Sequence, residues 1–384
     1  NAFIVDEGDP YNEILFNKSI NNLKSRKYFR SVKTKTSEGS NKDQKIIDIE
    51  VEEQPTGEIS LAAGVGTSGA SIGGGIKENN FLGKGIILNT SLIVSENRVN
   101  GIFSYERPNF NNSDNSLRTT LNSTTTDNLT DFGYKSENIG FSLGSSFKQY
   151  ENTTISPTIG FEYEDMETNT AASKNLKKQQ GSYYDTNFSY SIDYDLRDQK
   201  YQTTEGTRTI WFQRLPLYSE NYEIVNGITH VRYKPLFNDM VGKVLVMTRA
   251  INTLSSDEDV RISKRLFVSS KRLRGFQSGK IGPIDNGSYI GGNYMASFNA
   301  AASLPNFLPA FQNTDFNVFF DAANVWGVDY DKSVDDRSTI RSSVGVGLDV
   351  NTVIGPLNFS LSQPITKASG DKTETFRFNL GTTF

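Results

Sequence analysis

Few residues in this chain are equipped for covalent chemistry. Its 384 residues include no cysteine and a single histidine, His230, which removes thiolate nucleophiles, most zinc sites and a Ser-His-Asp triad. Carboxylates cluster at 164–167 and 257–259, in polar stretches that read as solvated loops and not as acid/base pairs. The run Gly64-Val65-Gly66-Thr67-Ser68-Gly69 matches G-x-G-x-x-G, but no helix follows it and no acid stands on a second strand about twenty residues on, so it makes no dinucleotide site. What remains is Lys271-Arg272-Leu273-Arg274-Gly275-Phe276-Gln277-Ser278-Gly279-Lys280-Ile281-Gly282-Pro283. Within it, Leu273, Arg274, Gly275 and Phe276 set a guanidinium fork beside a backbone free to take positive φ and an aromatic that favours burial. The chemistry on offer is ion pairing with a carboxylate, in a loop built to fold back onto whatever supplies one. A net charge of −4 without a wider basic face argues against a nucleic-acid partner.

The elements that must carry this loop are strands. From about Glu58 onward, apolar and polar residues alternate. In Tyr184–Leu196 the even positions are mostly aromatic or aliphatic, and the odd ones are Asp, Asn or Ser. Ile86, Leu88, Leu92 and Val94 repeat the pattern, as do Ile139, Phe141, Leu143 and Phe147, then Ile155, Ile159, Phe161 and Tyr163. Such strands exceed the roughly five or six residues usual in globular sheets and suit tilted membrane-spanning strands of about 9–11 residues. A mean hydropathy of −0.48 is compatible with this, because membrane barrels alternate lipid-facing and lumen-facing residues. Phe376, Phe378, Leu380 and Phe384 alternate with polar residues to the last position, as a closing strand would. The spacing gives roughly sixteen strands, an even number as in bacterial barrels. Asn79–Gly85, Lys234–Gly242 and Asn351–Gly355 read as short turns, and 164–182, 253–291 and 324–339 as long polar loops. His230, alternating with Ile228 and Arg232 on a strand, reads as lumenal or periplasmic-end structure.

Residues 1–56 follow another pattern. Pro10–Leu23 carries Ile14, Leu15, Ile20 and Leu23 at helical spacing, with Asp9 as N-cap and Pro10 at the first helical position. Strand patterns follow at Phe29–Thr36 and Ile46–Glu52, and Gln54-Pro55-Thr56-Gly57 forms a hinge. The chain begins without methionine and reads as a trimmed fragment, with a small α+β module at 1–56 and a barrel at 57–384.

In this order the motifs resemble the BamA family of outer-membrane protein assembly factors. The resemblance runs through Val51–Gly57, Asn80-Phe81-Leu82-Gly83-Lys84-Gly85, Leu273–Phe276, Ile281-Gly282-Pro283, Gly291-Gly292-Asn293, Phe319-Phe320-Asp321, Gly355-Pro356-Leu357, Gly370-Asp371-Lys372 and Phe376–Gly381. It implies an all-β membrane protein, a 16-stranded antiparallel transmembrane β-barrel preceded by a truncated polypeptide-transport-associated (POTRA) domain in the periplasm. It further implies that Arg274 reaches into the lumen toward Asp321. Ala323 replaces a usual glycine, Ser269-Ser270 replace a glycine pair, and Ala301-Ala302-Ser303-Leu304-Pro305 lacks a second acid, which leaves Asp321 as the expected partner. The implied activity is non-enzymatic and needs no cofactor or metal: insertion of β-barrel proteins into the bacterial outer membrane. The route is a lateral seam between the first and last strands, at Gly64, Gly66, Phe376, Phe378, Leu380 and Phe384. Implied partners are unfolded outer-membrane barrel proteins, outer-membrane lipid and accessory lipoproteins docking on POTRA domains. The alternatives are a polypeptide-secreting transporter of the same superfamily and a passive diffusion porin.

Overall fold

The computed structural model describes residues 7–25, 28–41, 44–67, 69–200, 202–237, 240–255, 258–304, 314–329, 333–352 and 355–380. A helix, α1 (Glu13–Ser25), precedes an antiparallel pair, β1 (Phe29–Glu38) and β2 (Lys45–Glu53). The chain then runs through β3 (Gly57–Gly66), β4 (Gly69–Phe81), β5 (Ile86–Ser95), β6 (Arg98–Arg107), β7 (Ser116–Asn128), β8 (Tyr134–Tyr150) and β9 (Thr153–Thr168). One short helical turn, α2 (Lys174–Lys177), leads to β10 (Gly181–Asp195), β11 (Gly206–Ser219), β12 (Glu223–Pro235) and β13 (Val241–Thr253). A long connection holding the small hairpin β14 (Ile284–Asp285) and β15 (Ser288–Tyr289) precedes β16 (Tyr294–Leu304). The last strands are β17 (Thr314–Trp326), β18 (Arg341–Thr352), β19 (Gly355–Thr366) and β20 (Phe376–Leu380). β3 to β13 and β16 to β20 pair in chain order as an antiparallel sheet that closes, β20 against β3, into a sixteen-stranded barrel.

Period-two patterning decides which way each wall faces. Ile192 stands opposite Trp211, and Trp211 opposite Ile228, on one face. Trp211, Ile228, Tyr194, Phe141, Val246 and Phe298 are all exposed on that outer face. The other face of the same strands carries Asp185, Asn187 and Ser189. Lumenal Asp321 and Ser343 are completely buried, because the long connection fills the space they face.

The structure corrects three readings. α1 begins at Glu13, and its cap is Asn12, whose Oδ1 accepts from Ile14 N (3.0 Å) and Leu15 N (3.1 Å); asparagine caps as well as aspartate. The helix therefore buries Phe16, Ser19 and Ile20 and leaves Ile14 79% exposed. The stretch from 164 is not loop, since β9 continues to Thr168 and Glu164 is buried. His230 is not lumenal: it lies on the outer face, in the half of β12 next to the 235–241 turn, beside Thr209, whose hydroxyl meets its Nδ1 at 2.8 Å.

Candidate functional site

The connection after β13 folds into the lumen and is tied to walls on both sides. On the β17 side, alternation puts Phe319 and Asp321 on the lumenal face. Arg274 donates to the Asp321 carboxylate through Nε (2.7 Å to Oδ2) and Nη2 (2.8 Å to Oδ1), and its backbone N–H adds a third bond at 3.1 Å. Asn299 Nδ2 donates to Asp321 Oδ1 at 2.9 Å and to Arg272 O at 2.8 Å. The guanidinium lies 3.3 Å from the centre of the Phe319 ring, combining a bidentate fork with cation–π contact. A fully buried carboxylate is costly without such partners. Gly275 then turns with φ +90°, and a Cβ there would lie 3.2 Å from that of Ser343. Leu273 and Phe276 are buried with Val268, Ile281, Met295, Ala323 and Val325, so apolar packing seats the loop around the ion pair.

The same loop reaches the segment that leads into β20. Gln277 N donates to Lys372 O (3.0 Å), Glu374 N to Gly275 O (2.9 Å) and Lys372 N to Lys280 O (3.1 Å). Asp371 is held bidentately by Arg341 at 3.0 and 3.1 Å. These bonds tie the loop to the residues just ahead of β20.

A second cation, Arg261, did not emerge from the sequence. It is 2% exposed and bridges three strands: Glu164 of β9 (3.0 Å), Asp185 of β10, and Glu223 of β12, whose Oε1 accepts from Arg261 N at 3.0 Å. Its guanidinium lies 4.5 Å from the centre of the Tyr183 ring, and Lys264 pairs with Glu162 at 2.5 Å. A signal existed. Three acids on the lumenal face of neighbouring strands need a cation in a closed space, but placing Glu164 in a loop hid it.

At the closure, β20 meets β3 at Asn379–Gly66 and Leu380–Val65 among the described residues, with Thr67 N donating to Phe378 O at 3.1 Å. On its other side β3 pairs β4 from Gly57–Glu78 to Gly66–Gly69. Only glycine permits the approach at Gly66, where a Cβ would lie 2.5 Å from Phe378 O. Gly64 sits within β3 opposite Ser71. Phe376 and Phe378 stack at 6.3 Å, and Phe384 lies outside the described residues.

A profile of the Omp85 superfamily domain matches residues 80–384. The chain is similar to the outer membrane protein assembly factor BamA of Nitratidesulfovibrio vulgaris, at 24% identity over 417 residues that cover 99% of this chain and 48% of that protein. BamA of Neorickettsia risticii is 29% identical over 150 residues, 38% of this chain and 20% of the relative. The chain thus spans about half, or less, of the length of these relatives. The crystal structure of BamA from Haemophilus ducreyi lacking POTRA domains 1–3 matches with a TM-score of 0.88 and 25% identity, covering 100% of this chain and 81% of that one. CdiB from Acinetobacter baumannii shares the fold, with a TM-score of 0.61 and 13% identity over 99% of this chain and 70% of that one.

Proposed function

The chain belongs to the Omp85 superfamily, and from that premise we propose that it is a non-enzymatic insertase that folds β-barrel proteins and releases them into the bacterial outer membrane. Relatives named as outer membrane assembly factors support that location and class of client. The observation that carries the reading is the glycine at the closing seam: Gly66 of β3 lies so close to β20 that a Cβ there would come 2.5 Å from Phe378 O, and Gly64, Gly73, Gly74 and Gly75 stand in the β3–β4 ladder behind it, where glycine weakens pairing. A seam weakened by glycine can part, and the N–H and C=O groups freed there then template an incoming strand by β-augmentation. No covalent bond changes. Backbone hydrogen bonds formed by the client replace those lost at the seam.

In this reading the lumenal loop is a strut. Arg274 and Asp321 hold it to β17, and its bonds to Lys372 and Glu374 fix the lead into β20. Residues 1–56 are the end of a periplasmic POTRA domain, supported by the order α1, β1, β2, and residues 57–384 are the barrel. The turns at 79–85, 234–242 and 351–355 then face the periplasm with both barrel termini, the long connections at 253–291 and 324–339 face outward, and accessory lipoproteins dock on the periplasmic side.

Reconstitution in liposomes tests the function. The chain should accelerate the folding of an added unfolded barrel protein, read as the heat-sensitive gel mobility of the client. Steady high conductance with no acceleration overturns the reading in favour of a porin. Appearance of the added polypeptide inside the vesicles, without its insertion, overturns it in favour of a secretion transporter.

A further inference from the structure

The outer wall of the barrel is not uniformly studded with bulky apolar side chains. Two adjacent cross-strand rows run over β11, β12, β13, β16 and β17. One contains Asn226, Ala250, Tyr294 and Trp326; the next contains Trp211, Ile228, Thr248 and Ala296. Thr248, Ala250 and Ala296 are short, while Trp211 rises on one side and the Tyr294–Trp326 pair on the other, its rings 5.8 Å apart. Between them lies an open groove of about 420 Å³, within the range of about 300–1,000 Å³ typical of small-molecule sites.

We propose that this groove holds one acyl chain of an outer-leaflet lipid. The groove is continuous with the lipid-facing belt, since Val246 and Phe298, the next outward residues of β13 and β16, are exposed in the same way. A lipid-facing hollow framed by aromatics takes hydrocarbon, because a void leaves its lining without dispersion partners and water finds too few polar partners there. The direction of the chain follows from the two ends. Trp326 closes β17 and Tyr294 opens β16 at the long-loop end, and Tyr294 OH donates to Asn252 Oδ1 at 2.7 Å, so this is the interfacial, headgroup end. Trp211 stands near the middle of β11, where the chain's distal part lies. The inference rests on the membrane-embedded, loops-outward reading of the barrel but not on insertase activity.

The chain contains two tryptophans, Trp211 and Trp326, and both line the groove. Intrinsic fluorescence therefore reports the site directly. The detergent-solubilised chain is titrated with phosphatidylcholine brominated on one acyl chain. Quenching should saturate at a single lipid per barrel, and filling the groove by Ala250→Leu with Ala296→Leu should abolish the saturable phase. Bromines near the headgroup should quench Trp326 more strongly, measured in Trp211→Phe. Bromines near the methyl end should quench Trp211 more strongly, measured in Trp326→Phe. Linear quenching that is the same in the native and filled chains overturns the proposal, as does one bromine dependence shared by both tryptophans. If the filled chain fails to fold, the single-tryptophan pair decides alone. Client folding is not read in this experiment, so the groove can fail while the proposed function stands.

Discussion

Arg274 and Asp321 illustrate how unevenly a buried ion pair responds to its two halves. Asp321 is completely buried while the Arg274 side chain keeps 23% of its exposure, so Arg274→Ala leaves a buried carboxylate without its counter-charge, held only by Asn299 and the residue 274 backbone N–H. Breaking such a pair costs about 3–5 kcal/mol, and Arg274→Ala should lower the thermal midpoint of the barrel in detergent at least as far as Asp321→Ala. The double variant should lose clearly less than the sum; a fully additive loss would show that the two groups are not coupled. Gly275→Ala puts an L-residue at φ +90° against Ser343, for a penalty of roughly 1–2 kcal/mol from backbone strain, and should lower the midpoint without removing a charge. Arg261→Ala leaves Glu164 and Glu223 buried together. Because it shares no partner with Arg274, its effect should add to that of Arg274→Ala. The fork, the turn and the anchor at 273–276 were legible as residue types. Arg261 was not, because its meaning depends on acids spread over three strands.

At the level of elements, the lumenal loop and the seam are connected through the backbone. Gly275 and Gln277 bond to Glu374 and Lys372, a few residues ahead of β20, so a looser loop should free the last strand. The seam itself can be locked. Val65 and Leu380 are register partners, directly opposite residues in an antiparallel pair lie within disulfide reach, and the chain has no other cysteine to compete. Val65→Cys with Leu380→Cys should cross-link on oxidation, visible as altered gel mobility, and should stop client insertion until reduced. Insertion that persists in the oxidised chain would rule out lateral opening. The strands were legible from alternation alone, because a wall with one wet and one greasy face must repeat every second residue. Their ends were less so. β9 outran its apolar pattern because Glu164 is satisfied in the lumen by Arg261, a partner far away in sequence.

For the whole molecule, the N-terminal pair β1–β2 shares no strand ladder with the barrel among the described residues. Removal of residues 1–56 should leave the barrel's heat-sensitive gel mobility unchanged while reducing client insertion; a barrel that no longer folds would show that the division at Gly57 is misplaced. By itself the sequence determined the barrel class, roughly sixteen strands, the sidedness of the clearly alternating strands and a loop shaped to pair with an acid. Each is a local consequence of residue spacing, which survives without knowledge of what lies across the lumen. Only the tertiary structure decided that the loop is pinned at two separate places on the wall, by Arg274 to β17 and by Arg261 to β9, β10 and β12. It alone also showed that the described part of β20 meets β3 near Gly66, and that small residues on neighbouring strands leave a groove in the outer wall. Closure brings together positions far apart in the chain, and no periodicity along one strand records what stands on the strand facing it.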